Sequence, residues 1–288
     1  MADRRHRVRP PVAGMSMIGN LRRAIGARLG TLWRYIVPPR RNDPAPGAAT
    51  RRPARLGGPL QPAEQIRVSV VIPALNEANR IADVVRYALS DPATAEVIVI
   101  DDGSIDDTAA LARDAGARVV TSTMLGKGRS MLDGLQLATH DLIAYLDGDL
   151  AGLQPDIVSS LVAPITTDGA DFVKAKFGRG GGRVTELTAK PMLKLFFPEL
   201  AGFAQPLGGI IAARKALLQS MRFEDGYGVD IALLIDAHRA GARLAEVDIG
   251  SLEHESQSLR ALGLMAQEVS RVIFDRAKQA GRLTVDQI

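Results

Sequence analysis

Two aspartates one residue apart, Asp147 and Asp149, close the segment DLIAYLDGDL. A mostly apolar run leads into them, and Gly148 between them lets the backbone bend and bring both carboxylates towards one point. Such a pair suits a hard divalent cation, Mg2+ or Mn2+, which takes oxygen ligands and keeps waters or substrate phosphates in its other positions. A cation there would neutralise the charge that grows on a diphosphate leaving group. The competing reading is a turn in which Asp and Gly make only local hydrogen bonds.

Other residue types point the same way. Asp101 and Asp102 end a second apolar run, EVIVIDDGS, where a carboxylate could accept from a base or a ribose hydroxyl. Ser104 or Asp106 could cap the helix that follows. Lys127 lies between Gly126 and Gly128, which reads as close backbone access to a ligand and a mobile cationic tip, or as a solvated turn lysine. The segment from Gly178 to Arg183 sets Gly180, Gly181 and Gly182 between Arg179 and Arg183. It is either an anion-capturing loop or a plain flexible one. Of the four histidines, His238 reads as structural within a helix and His140 as a solvent-side turn residue. His254, in SLEHES, could swing towards the cation as a third ligand. The first apolar run leads into PALNEA rather than G-x-G-x-x-G, and GKGRS lacks the loop that precedes a P-loop lysine, so dinucleotide and P-loop chemistry are disfavoured. No G-x-S-x-G elbow occurs, and no cysteine nucleophile, disulfide or thiolate metal site is available to a chain with no cysteine.

These residues need elements to hold them. VSVVIPAL reads as a strand buried on both faces. A helix over Ala78–Leu89 follows, then the strand EVIVIDDGS, a helix over 106–115, the strand ARVVTS, a helix over 128–138 and the strand DLIAYLD. That alternation predicts a mostly parallel sheet covered by helices, whose ligands bind beyond the carboxyl ends of the strands. Asn76, Asp101, Asp102, Lys127, Asp147 and Asp149 all fall at those ends or just after them. The second half predicts a strand at DFVKAKF, a helix over VTELTAKPMLKLFF interrupted near Pro191, and a strand running into a helix at LGGIIAARKALL. A helix at GVDIALLIDAHRAG, a strand at ARLAEVDIG and a long final helix from Leu259 to about Ala280 complete it.

Three regions follow: a basic extension over 1–65, a regular half of alternating strands and helices over 66–150 and a less regular half with the final helix over 151–288. Residues 1–60 hold thirteen arginines against Asp3 and Asp43, so the net charge of +4 conceals an acidic body. A nucleic-acid partner is therefore not implied by the basic balance. Within the extension, Ile18, Leu21, Ile25, Leu29, Leu32 and Ile36 recur at helical spacing and predict an amphipathic helix over 14–37. It suits weak contact with an anionic membrane surface, and equally packing against the main domain or a second subunit. No apolar run has the length of a membrane span, and MADRRHRVRPP lacks a secretory pattern, so the expected location is the cytoplasm.

Four blocks, VSVVIPALNEANRIADVV, VIVIDDGSIDDTAALA, GKGRSMLDGL and LIAYLDGDL, together resemble the family 2-like nucleotide-sugar glycosyltransferases of the GT-A fold. In the second half GGRVTELTAKPMLKLFFPELAGFAQPLGG, FEDGYGVDIALLID and VDIGSLEHESQSLRALG are similar to the branch that glucosylates 3-phosphoglycerate. The resemblance implies an α/β GT-A fold, a mostly parallel Rossmann-like nucleotide-sugar-binding sheet with a C-terminal acceptor-binding portion. It implies transfer of glucose from UDP-glucose to the 2-hydroxyl of 3-phospho-D-glycerate with retention, Mg2+ or Mn2+, and a homodimer. Carried onto this chain, Pro73, Ala74, Leu75, Glu77, Asp102, Lys127, Asp147 and Gly148 hold the UDP-sugar. Asp149 and His254 hold the metal, Gly182, Arg183, Val184, Thr185 and Tyr227 hold the acceptor, and Asp149, Lys127 and Asp230 carry catalysis. The chain departs from that branch at Ile210, where QPLGG is commonly followed by Glu, and at Asp230, where GYGV is commonly followed by Glu. The first change is expected to remove a charge near the site and the second to shorten a carboxylate's reach. Donor or acceptor identity is then more open than the reaction class, and a polyprenyl phosphate, another small acid or a non-catalytic sugar-nucleotide binder are the alternatives.

Overall fold

The run VSVVIPA forms strand β1, Val68–Ala74, in the computed structural model, which describes residues 66–178, 181–252 and 258–283. The expected amphipathic helix at 14–37, Arg179 and His254 lie outside those residues. In chain order β1 is followed by α1 (Ile81–Ser90), β2 (Thr94–Asp101), α2 (Thr108–Asp114), β3 (Arg118–Thr121), α3 (Lys127–Leu137) and β4 (Leu142–Tyr145). Next come α4 (Ile157–Thr166), β5 (Phe172–Lys176), α5 (Lys190–Phe196), β6 (Ile211–Arg214) and α6 (Lys215–Gln219). The chain ends with α7 (Val229–Arg239), β7 (Leu244–Asp248) and α8 (Leu259–Gln279).

One seven-stranded sheet runs through both halves in the order β3-β2-β1-β4-β6-β5-β7. All pairings are parallel except those of β6 with β4 and β5. Alternate side chains feed two apolar cores. Val70 and Ile72 of β1 join α1, α2 and α4 on one face, while Val71 joins α3, α5, α7 and α8 on the other. Burial on both faces explains why these strands read as continuous apolar runs.

The strand order reverses between β1 and β4, the switch point at which open α/β sheets bind ligands. Because β6 runs against its neighbours, the segment leading into it arrives at the same edge that β4 and β5 leave. Loops after β1, β2, β4, β5 and β7, and the approach to β6, therefore share one rim.

Two boundaries differ from expectation for local reasons. Helix α1 begins at Ile81 rather than near residue 78. Asn76 adopts a left-handed φ of 58°, and its Oδ1 accepts the Ile105 N–H at 2.9 Å, which holds the chain in a turn. The expected interruption near Pro191 takes the form of a wide π turn at Thr185–Ala189 that continues into α5. Proline offers no N–H to the Leu187 carbonyl and crowds it, and the wider turn relieves that conflict.

Candidate active site

The site is built outward from Lys127, the first residue of α3. Its ammonium donates to Asp147 Oδ1 at 2.8 Å and to Asp230 Oδ2 at 3.0 Å. The Asp230 side chain is 4% exposed and that of Asp147 25%, so one carboxylate is sealed and the other faces the rim. Burial alone would favour loss of the Lys127 proton, but the two carboxylates outweigh it and hold the pKa above the ordinary lysine value. The cationic tip is thus fixed rather than mobile, with two of its three N–H bonds committed.

The glycines flanking Lys127 also act differently from the expectation of ligand access. A Cβ on Gly128 would lie 1.6 Å from the Glu224 carbonyl oxygen, and the Gly128 N–H donates to the Asp225 carbonyl at 3.0 Å. The start of α3 is pressed onto the backbone that enters α7, and this is what brings Lys127 and Asp230 together across 103 positions of sequence. Asp230 sits in the first turn of α7, where a carboxylate is favoured by the helix N-terminus. Its second oxygen, Oδ1, is buried with no hydrogen-bond partner among the described residues.

The other donor-side residues gather beside this trio. Asp147 follows β4 after Leu146, whose N–H still pairs with the Val71 carbonyl. Gly148 lies against Pro73, Ala74 and Glu77 at the end of β1, and Leu75 is half exposed beside them. Asp102 is only 8% exposed and accepts the Gly126 N–H at 2.9 Å and the Ser130 hydroxyl at 3.2 Å. Its carboxylate therefore shapes the approach to Lys127. Asp101 accepts the Ser104 N–H at 3.2 Å, and Asp106 accepts that of Thr108 at 3.1 Å, so the turn and the α2 start are both tied by carboxylates.

On the opposite side, the Gly178 N–H donates to the Gly250 carbonyl at 2.8 Å, which joins the glycine-rich segment to the loop after β7. Arg183 is exposed at the start of the helical turn, and Gly182 is exposed beside it. Thr185 is buried, and Val184 is a core side chain that leaves only its backbone for a ligand. Tyr227 is half exposed, its N–H held by Glu268 of α8 at 2.8 Å. Asp149 is partly buried just beyond Gly148, and Gly152, three residues on, lies beside the Ser251 carbonyl. The loop carrying Asp149 thus meets the loop that leads to His254.

Ile210 is fully buried in the apolar core on the α1 and α4 face, opposite to the direction in which Gly209 faces Asp147. The sequence reading missed Lys174 on β5, which is fully buried and donates to the Gly208 carbonyl at 2.7 Å. Burial pushes its ammonium down to about 8, opposed chiefly by Asp230. A charged residue inside an apolar strand pattern reads from sequence as an outward position, which is why it gave no signal.

Among the described residues no three His, Asp or Glu side chains cluster as a metal site, and Lys127 lies against Asp147 at the rim. The family model described as glycosyl transferase family 2 matches residues 69–221. The chain is similar to the glucosyl-3-phosphoglycerate synthase of Mycobacterium tuberculosis, 38% identical over 81% of this chain and 82% of the relative. It is also similar to that of Petrotoga mobilis, 34% identical over 79% and 78%. The crystal structure of the Mycobacterium tuberculosis enzyme with Mn2+, UDP-glucose and phosphoglyceric acid superposes with a TM-score of 0.70 at 40% identity, covering 74% of this chain and 80% of that one. With this sheet, this rim and these relatives, the chain belongs to glycosyl transferase family 2, among its glucosyl-3-phosphoglycerate synthases.

Proposed function

We propose that this glycosyltransferase moves glucose from UDP-glucose to the 2-hydroxyl of 3-phospho-D-glycerate, with retention at the anomeric carbon. The observation that carries the reading is the hydrogen-bonded Lys127–Asp147–Asp230 trio at the switch point of the sheet, on the rim shared with Arg183. Asp149, with His254 from the segment after β7, would hold a Mg2+ or Mn2+ ion, which supplies positive charge to the UDP leaving group. Pro73, Ala74, Leu75 and Glu77 line the nucleotide side. Lys127 holds the Asp147 and Asp230 carboxylates in place through its two hydrogen bonds.

Because Asp230 is ion-paired, it is a poor nucleophile. The acceptor hydroxyl therefore enters on the face that UDP leaves, passing its proton to the departing phosphate oxygen. Arg183 and Thr185 grip the acceptor's phosphate or carboxylate, for which a guanidinium is suited.

The decisive assay crosses UDP- and GDP-sugars with 3-phosphoglycerate, glycerate and polyprenyl phosphate, with and without Mg2+. Metal-dependent turnover of UDP-glucose with 3-phosphoglycerate is expected, and preference for another pair would replace the assignment. Arg183→Ala should raise the KM for 3-phosphoglycerate about 10- to 100-fold while the KM for UDP-glucose stays within about twofold, the loss expected for one charged hydrogen bond. Unchanged acceptor kinetics would reject the role of Arg183. A cytoplasmic homodimer with weak peripheral membrane contact through residues 14–37 completes the proposal. Deleting residues 1–60 should then reduce sedimentation with anionic liposomes, and undiminished sedimentation removes the membrane element.

A further inference from the structure

The segment Ala204–Gly209 leads into β6 and crosses the rim beside Asp147. Three side chains hold it from beneath, of which Gln205 and Lys174 are buried. Glu246 of β7 accepts the N–H groups of Ala204 at 2.7 Å and Gln205 at 3.2 Å through one oxygen. Gln205 is itself buried and donates through its side chain to the Phe177 carbonyl at 3.3 Å. Lys174 lies directly across the ladder from Glu246 and donates to Gly208.

The far end of the same segment meets the reacting side. A Cβ on Gly209 would stand 2.3 Å from Asp147 Oδ1 and 2.5 Å from Lys127 Nζ. The backbone at Gly209 is therefore seated on the Lys127–Asp147 pair, and a shift of the segment would displace that pair. One residue earlier, the carbonyl of Gly208 is fixed by an ammonium that solvent does not reach. Stability alone would be served as well by an apolar side chain at such a position, since a buried charge pays desolvation that its partners must offset.

We propose that Lys174 is a positioning residue for the donor side: by anchoring the Gly208 carbonyl it seats Gly209 against Asp147 and Lys127, without touching either substrate. The inference rests on the glucosyl-transfer reading above. Lys174 acts on UDP-glucose handling and leaves acceptor capture, which belongs to Arg183 and Thr185, intact.

The test is steady-state kinetics on the full chain with UDP-glucose and 3-phosphoglycerate varied separately. Wild-type turnover tests the reaction itself, and the ratio of variant to wild type tests Lys174. Lys174→Met, of similar length and shape, should raise the KM for UDP-glucose or lower kcat by about tenfold, with the KM for 3-phosphoglycerate within about twofold. Gly209→Ala disturbs the same contact from the other end, so the double variant should lose no more than the worse single one. Wild-type donor kinetics in Lys174→Met, equal rises in both KM values, or losses that multiply in the double variant would each overturn the proposal. Should Lys174→Met not fold, Lys174→Gln keeps a donor of shorter reach and is held to the same donor-selective loss.

Discussion

Lys127→Met is expected to reduce kcat/KM by about 10³-fold or more and to lower the unfolding free energy by about 3–5 kcal/mol, because removing one partner of a buried ion pair strands the other. Here the sealed Asp230 loses the ammonium that pairs with it. Urea unfolding of wild type and variant reads the loss directly, and an unchanged unfolding free energy would mean that this pair does not tie α3 to α7.

Asp149→Ala should have a comparable effect on turnover and a much smaller one on the fold. Asp149 lies past the end of β4, partly buried, and belongs to no strand ladder. Loss of a cation ligand removes several kcal/mol of leaving-group stabilisation, which corresponds to about 10³-fold in kcat. A second readout separates this from simple damage. Mn2+ with UDP at about 100 times its Kd should stabilise the wild-type chain by about 2.7 kcal/mol and the variant by far less. Near-wild-type turnover, or an undiminished shift of melting temperature with Mn2+ and UDP, would remove Asp149 from the metal site.

The donor half was legible because its chemistry is written in contiguous blocks. Each strand from β1 to β4 is a compact apolar run, and its polar residues stand at the run's end, so Asp102, Asp147 and Asp149 could be placed on one rim from spacing alone. Asp230 was reached only through resemblance. Its pairing with Lys127 depends on how closely α3 packs on the Glu224–Asp225 backbone, and no local pattern encodes that approach. Lys174 and Arg276 were hidden for another reason: periodicity assigns charged residues outward, whereas both are buried against partners far away in sequence. Ile210 shows the converse. A motif placed it at the site, but alternation along the chain turns neighbouring residues to opposite faces, so Gly209 meets Asp147 while Ile210 enters the core.

Arg276, near the end of α8, binds both Asp236 and Glu224, and the two carboxylates outweigh the cost of burying its guanidinium. The Glu224 carbonyl is the surface on which Gly128 rests. Order of synthesis gives this chain of contacts a temporal meaning. A ribosome making about 5–20 residues per second exposes the whole nucleotide-binding half on the order of ten seconds before Arg276 emerges. During that interval the β1–β4 sheet can form, but the turn that seats Lys127 against Asp230 lacks its final clamp. The nascent protein therefore acquires last the contact that braces the turn behind Lys127.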